Sequence, residues 1–390
     1  MRSRPSPVQL AAGALAIGLA VLLTGVTAAW RSSAERAAPP ATAAEPGAEV
    51  ATTGGDIVEP EAASAPPEPL AVIAPDVDPT TAPATTAAPP AAPVPPPATT
   101  AAPAPPPPAA ANVARAPGAS ASTAPFFGMG TWVDVFDWSP SYAKGNPVKL
   151  GPGAVDAMAD NGVQVLYLQT TRADYAGPGD IVDPAVLKQW LARAQARGIQ
   201  VVAWYLPTLT DVGADLRRLR ATAGLASVDG IGIDIESRAV VDHDERSRRL
   251  VELSRLARSA LAGRPLSAIT LPNVVTDVLN LDYWPRFPWA EIRPFYDVWQ
   301  PMAYWTNRRS DSPYRNAELY IRENVERMRA KLGDPNAVVH PIGGIGDKTT
   351  TADIEGFLRA VRQTRSVGAS LYDWSTQSAA SYAPMRAARA

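Results

Sequence analysis

The stretch VDGIGIDIES, Val228–Ser237, decides how the whole chain is read. Ile231, Ile233 and Ile235 alternate with Gly230, Gly232, Asp234 and Glu236. In a β-strand the period of two sends the isoleucines to one face and the glycines and acids to the other. An apolar face backed by two glycines and two carboxylates suits a parallel barrel. There the isoleucines face the surrounding helices, and the glycines leave room for bulky neighbours at the centre. Asp234 and Glu236 then stand at the C-terminal mouth, where barrel enzymes keep their chemistry.

Seven further short apolar runs accompany this one: FFGMGTWVDVF, VQVLYLQ and IQVVAWYL before it, LSAITLP, YDVWQPMAYW, AVVHPIGG and ASLYDW after it. Helical patterns lie between them. In DPAVLKQWLARAQARG, Val186, Leu187, Trp190, Leu191 and Ala194 recur at helical spacing and Gly198 ends the run. Asp242 and Glu245 have the spacing of a capping box. Strands alternating with helices indicate an α/β fold with a parallel sheet. Eight such units, with a long loop after the fifth strand, predict a (β/α)₈ TIM barrel. An open doubly wound sheet is the alternative.

Composition divides the 390 residues in the same way. All 11 tyrosines, all 6 phenylalanines and 9 of the 10 tryptophans lie at or after Phe126, so residues 126–390 are expected to form the barrel. That is close to the roughly 250 residues such a barrel needs. A net charge of −2 provides no basic field for nucleic acid. The absence of cysteine excludes disulfides, thiolate metal sites and a cysteine nucleophile.

Residues 8–29 carry no charge and follow Arg2 and Arg4, so residues 1–30 are expected to be a signal anchor that leaves the domain outside the cell membrane. The alternative is a cleavable signal peptide, cut after the small residues near Ala29, and a secreted protein. Residues 31–125 hold 23 of the 41 prolines, mixed with Ala and Thr. They are expected to be a disordered linker between the membrane and the barrel.

Other strand ends bring further side chains to the same mouth. The first run supplies Trp132 and Asp134 on one face, with Asp137 beyond, where an acid also serves as a loop or helix cap. The sixth supplies Gln300, Met302 and Tyr304. Gln169 ends the second run, Tyr205 the third, and Tyr372 with Trp374 the eighth. Aromatic rings beside carboxylates suit a sugar site, because pyranose faces stack on rings while acids protonate the leaving oxygen. Core filling is the plainer role for such rings. Two like charges on one inward face are different, because they cost stability unless something uses them.

These residues resemble the chitinase-like glycoside hydrolases of family 18. The family motif DxxDxDxE is met at Asp229, Asp234 and Glu236, with Gly232 at the position of its second Asp. The family's MxYD on strand six reads MAYW here, retaining Met302 and Tyr304 and placing Trp305 where the Asp would be. GASLYDW is similar to the family's eighth strand. The resemblance implies Glu236 as general acid, Asp234 as its partner or as the group that orients an N-acetyl substituent, and Tyr304 as a substrate contact. The alternative is direct displacement, with Asp134 or Asp373 as the second carboxylate. Either scheme needs two close carboxylates, one with a raised pKa that makes it a proton donor near neutral pH.

Weaker signals have plainer explanations. GGIGD after strand seven resembles a phosphate loop, but a tight glycine turn explains it better. His340 reads as a core histidine and His243 as part of a solvated helix start, so no metal set and no cofactor are expected. The loop Trp284–Phe295 is either a cleft wall or a barrel cover. Together these observations predict an exported glycoside hydrolase acting on a cell-wall or extracellular polysaccharide, such as a peptidoglycan-type glycan. A non-catalytic glycan-binding barrel is the competing class.

Overall fold

The computed structural model describes residues 122–377 and 379–387. The expected anchor and the linker up to residue 121 lie outside them. Among the described residues no helix is long and apolar enough to cross a membrane.

Eight parallel strands follow in the expected places: β1 Gly128–Val133, β2 Val165–Gln169, β3 Gln200–Tyr205, β4 Gly230–Ile235, β5 Leu266–Thr270, β6 Val298–Pro301, β7 Ile342–Ile345 and β8 Gly368–Tyr372. Their order is β6-β5-β4-β3-β2-β1-β8-β7. Parallel bridges Trp299↔Val339 and Met302↔Ile342 join the two ends of this list. The sheet is therefore a closed barrel, not an open doubly wound sheet.

A helix follows each strand: α1 Ala154–Asp160, α2 Pro184–Ala196, α3 Val212–Ala223, α4 His243–Ala260, α5 Trp289–Ile292, α6 Ala317–Leu332, α7 Thr351–Gln363 and α8 Ala383–Ala387. In α2, Leu187, Trp190, Leu191 and Ala194 are buried, and Val186 is partly buried against the same core. That stripe follows the i, i+3, i+4, i+7 rule and is worth roughly 1.5–3 kcal/mol per large side chain. Gly198, at φ +68°, turns the chain back into β3. Asp242 caps α4, accepting from the Glu245 amide at 2.8 Å. The expected box is only half formed, because Arg248 and Arg249 hold the Glu245 carboxylate. The single turn of α5 leaves the fifth unit mostly loop, as the sequence predicts.

The centre is filled where β4 is empty. A Cβ on Gly230 would stand 2.9 Å from the Phe126 ring, and one on Gly232 would stand 2.9 Å from Ile269 Cδ1 and 3.2 Å from Trp204 Cβ. The Trp132 ring stacks on Tyr167 at 4.2 Å and meets Trp204 edge-on at 5.8 Å. Ile231, Ile233 and Ile235 are fully buried on the outer face. The glycines are the space those rings occupy.

Candidate active site

Above the packed rings the inward face of β4 ends in acids. Asp234 and Glu236 are 6% and 8% exposed. Asp234 Oδ1 and Glu236 Oε2 are buried with no hydrogen-bond partner among the described residues. A buried carboxylate without a partner is costly in its charged form, so it takes up a proton instead. Burial pushes Glu236 up to about 7. Burial and then the neighbouring Glu236 charge push Asp234 well above the usual carboxylate range. Such a pair holds a proton near neutral pH and can deliver it.

Other unpartnered polar atoms share this interior: both amide atoms of Gln300, the Trp204 indole nitrogen, Ser267 Oγ and the Tyr167 hydroxyl. The Gln300 amide lies against Tyr167, but no bond of good geometry forms between them. The Tyr283 hydroxyl donates to the Glu236 carbonyl at 3.2 Å and fixes the chain just past β4. Tyr304 and Tyr372 place their ring centroids 5.7 Å apart, and Tyr372 lies 6.4 Å from Trp132.

A second acid group forms where β1 and β8 lie side by side. Asp134 caps the short helix Val135–Trp138, accepting from the Phe136 amide at 2.8 Å. Its other oxygen accepts from the Tyr372 hydroxyl at 2.9 Å. Gln169 Oε1 takes the Val135 amide at 3.1 Å, which ties β2 to the same turn. Asp373 caps the turn Trp374–Thr376 and accepts from Ser375 Oγ and the Thr376 amide. Asp137 is buried and paired with Lys149 Nζ at 2.8 Å.

Each of Asp134, Asp137 and Asp373 offers an oxygen within 4.8 Å of the other two, close enough to hold one cation. Burial, Asp137 and Asp373 push Asp134 up to about 7, against the bonds from Tyr372 and Phe136. Burial and Asp137 push Asp373 up to about 6. In strand order β8 lies four places from β4, so the two acid groups face each other across the mouth.

The structure brings together Asp234, Glu236, Trp132, Gln300, Tyr304, Tyr372, Asp134 and Asp373 around one end of the barrel. Tyr205 is not among them. It is next to the inward Trp204, so the pleat turns it outward, where its hydroxyl donates to Asp215 of α3 at 2.5 Å. Trp374 is also displaced. The chain turns after Tyr372, and the indole stacks 5.1 Å from Tyr382, which is itself bonded to Thr131 on the outer face of β1. Sequence reasoning missed Trp204 and Lys149. Strand parity could have found Trp204, because its register partner is the inward Gly232. No pattern marks Lys149.

The departures from the family motif have physical explanations. Ile269 and Trp204 fill the space an acid at position 232 would need. Trp305 is fully buried and points outward, its ring 5.4 Å from Phe357 of α7. Asp229 accepts from the Val201 amide at 2.8 Å, at the end of β4 opposite the mouth, and so serves the fold.

The weaker signals are structural. His340 Nδ1 lies 2.7 Å from the Phe126 carbonyl, and burial lowers this imidazole to about 4. Gly343 and Gly344 are packed under Trp305. The loop Trp284–Phe295 is a cover on the outside of the barrel. Its rings run from Trp284 through Phe287 and Trp289 to Trp299, and Arg246 of α4 lies 4.2 Å over Trp284.

No protein-family model and no curated protein matches the chain. Solved structures do. The Group IV chitinase of Ostrinia furnacalis aligns with a TM-score of 0.50 and 8% identity, over 67% of this chain and 98% of that one. The exo-β-1,4-mannosidase Op5Man5 from Opitutaceae bacterium strain TAV5 aligns at 0.48 with 14% identity, over 63% of this chain and 52% of that one. The present chain therefore spans about half the length of that mannosidase. The spore cortex-lytic enzyme SleL of Bacillus megaterium QM B1551 aligns at 0.47 with 9% identity, over 67% and 73%. Identities this low speak for the fold alone, and the chitinase alignment agrees with a (β/α)₈ barrel.

Proposed function

We propose that the chain is a glycoside hydrolase that cleaves a polysaccharide outside the cytoplasm, with Glu236 as proton donor. The observation that supports this most is the buried, unpartnered Asp234–Glu236 pair at the C-terminal mouth. Tyr304 and Tyr372 stand beside the acids as rings on which a sugar can stack, over a floor that Trp132 and the unpartnered Gln300 amide complete from within the core. Glu236 gives its proton to the glycosidic oxygen as the bond breaks. Asp234 keeps that proton in place, because two adjacent buried carboxylates do not both ionise. Asp134 and Asp373, on the opposite rim, supply the second carboxylate for a direct displacement. This scheme fits better than a relay through position 232, which has no room for an acid. In this proposal the N-terminal segment holds the barrel on the outer face of the cell membrane, or directs its secretion.

Replacing Glu236 by Gln keeps the shape and removes the titrating proton. Loss of general acid catalysis is worth roughly 10²–10⁴ in rate. We expect release of reducing ends from peptidoglycan, chitin or mannan by the wild type, and a loss of that order in the Glu236→Gln variant. Equal binding with no cleavage by either protein would instead make this a glycan-binding barrel.

A further inference from the structure

The rim above β1 and β2 carries a recess apart from the acid pair. It has a volume of about 310 Å³ and is lined by Ser141, Tyr142, Asp174, Tyr175, Ala176 and Gly177. The rings of Tyr142 and Tyr175 lie nearly parallel, 26° apart with centroids at 6.4 Å. Phe136, 37% exposed, meets Tyr142 edge-on. These residues follow the C-terminal ends of β1 and β2, and the helix bearing Phe136 is capped by Asp134. The recess therefore opens on the same face as the acids.

We propose that this recess is a subsite for an uncharged sugar ring of the glycan chain, remote from the bond that Glu236 protonates. The inference rests on the glycan reading above. Three observations support it. The recess combines flat aromatic faces with hydrogen-bonding groups, as a pyranose needs. Its charges are already balanced: Asp174 takes two bonds from Arg172, at 2.7 and 2.9 Å, and one from the Tyr142 hydroxyl at 2.8 Å. A balanced pair suits hydroxyl groups and gives a phosphate or carboxylate no unpaired cation. Finally, the two loops are tied together in advance. Asp183 accepts from the amide and hydroxyl of Ser141 and from the Ser139 hydroxyl, and its own amide donates to the Tyr175 hydroxyl. A preformed recess binds without the cost of ordering its walls.

The test is titration calorimetry on the full chain. The ligands are the disaccharide and hexasaccharide of β-1,4-linked N-acetylglucosamine, and the same two lengths of β-1,4-linked mannose. The wild type is expected to prefer the hexasaccharide of one series. Tyr142→Ala should reduce that preference about tenfold, the loss of one stacked ring. Tyr142→Phe keeps the ring and should largely restore it. Ala176→Leu fills the recess from an exposed position without removing a native contact, so it decides the matter if Tyr142→Ala unfolds. If Ala176→Leu and folded Tyr142→Ala both retain the wild-type length preference, the subsite is refuted and the glycan reading stands. If the wild type binds neither series at either length, the subsite is refuted, and the glycan reading falls with it if no reducing ends are released from peptidoglycan, chitin or mannan.

Discussion

At the scale of single residues, Gly232 explains most about this barrel. Its missing side chain is matched by Ile269 and Trp204, so any Cβ there must displace the Ile269 terminus. Overpacking of this kind typically costs 1–3 kcal/mol. Gly232→Ala should lower the melting temperature by several degrees, and Ile269→Val, which removes the contacting methyl, should recover part of the loss. A double-mutant cycle by thermal denaturation checks this, because coupled neighbours depart from additivity. The acids were legible in the sequence for the same reason the glycines were. Strict alternation in β4 fixes which side chains share a face. Tyr205 ends β3 but has the outward parity, because its neighbour Trp204 is the inward ring, paired with Gly232. The sequence leaves the role of Asp137 open, because its partner Lys149 lies across a loop that no periodicity describes.

At the scale of elements, the eight strands could be read from short apolar runs bounded by turn residues. Helix α2 could be read from its stripe and its glycine stop. The turns beyond the strand ends could not. Phe136 continues the alternation of β1 on paper, but Asp134 caps a helix there and carries Phe136 to the rim. Trp374 leaves the mouth in the same way, once Asp373 caps the next turn. Tyr205 shows how a strand is fastened to its helix, through a bond to Asp215 that also takes the Leu209 amide at 2.9 Å. Tyr205→Phe should cost about 1–3 kcal/mol, the range for a buried acceptor left short of a donor. That is a fall of several degrees in melting temperature for a domain this size. Glycan affinity should not change, and a joint measurement of melting and binding separates an outer fastening from a cleft contact.

At the scale of the molecule, the mouth holds acids that folding makes harder to ionise. Glu236 and Asp134 at about 7 and Asp373 at about 6 all lie above their ordinary values, and burial raises Asp234 too. Between the ordinary carboxylate range and these values the folded state binds more protons than the unfolded chain, so stability falls as pH rises. His340 acts in the opposite sense, because its lowered value makes the unfolded chain the better proton binder between about 4 and its ordinary 6.5. Asp234→Asn leaves His340 untouched and removes one penalised charge. The variant should be more stable than the wild type at pH 8, and the gap should shrink towards pH 4. Thermal denaturation across that range reads the difference directly. A gap independent of pH would mean that Asp234 ionises in the folded protein as readily as in the unfolded chain.

The way the barrel closes gives one strand a special standing. Among the described residues, β7 and β6 join through two isolated bridges at their flanks, Trp299↔Val339 before β7 and Met302↔Ile342 after β6, and the β7 ladder with β8 shifts register between Ile342 and Ile345. The other neighbouring strands share continuous ladders. A hoop opens at its thinnest joint, and local opening concentrates where ordered pairing is sparse. β7 is therefore the stave along which this barrel can loosen while the β4 wall that carries the acids stays closed.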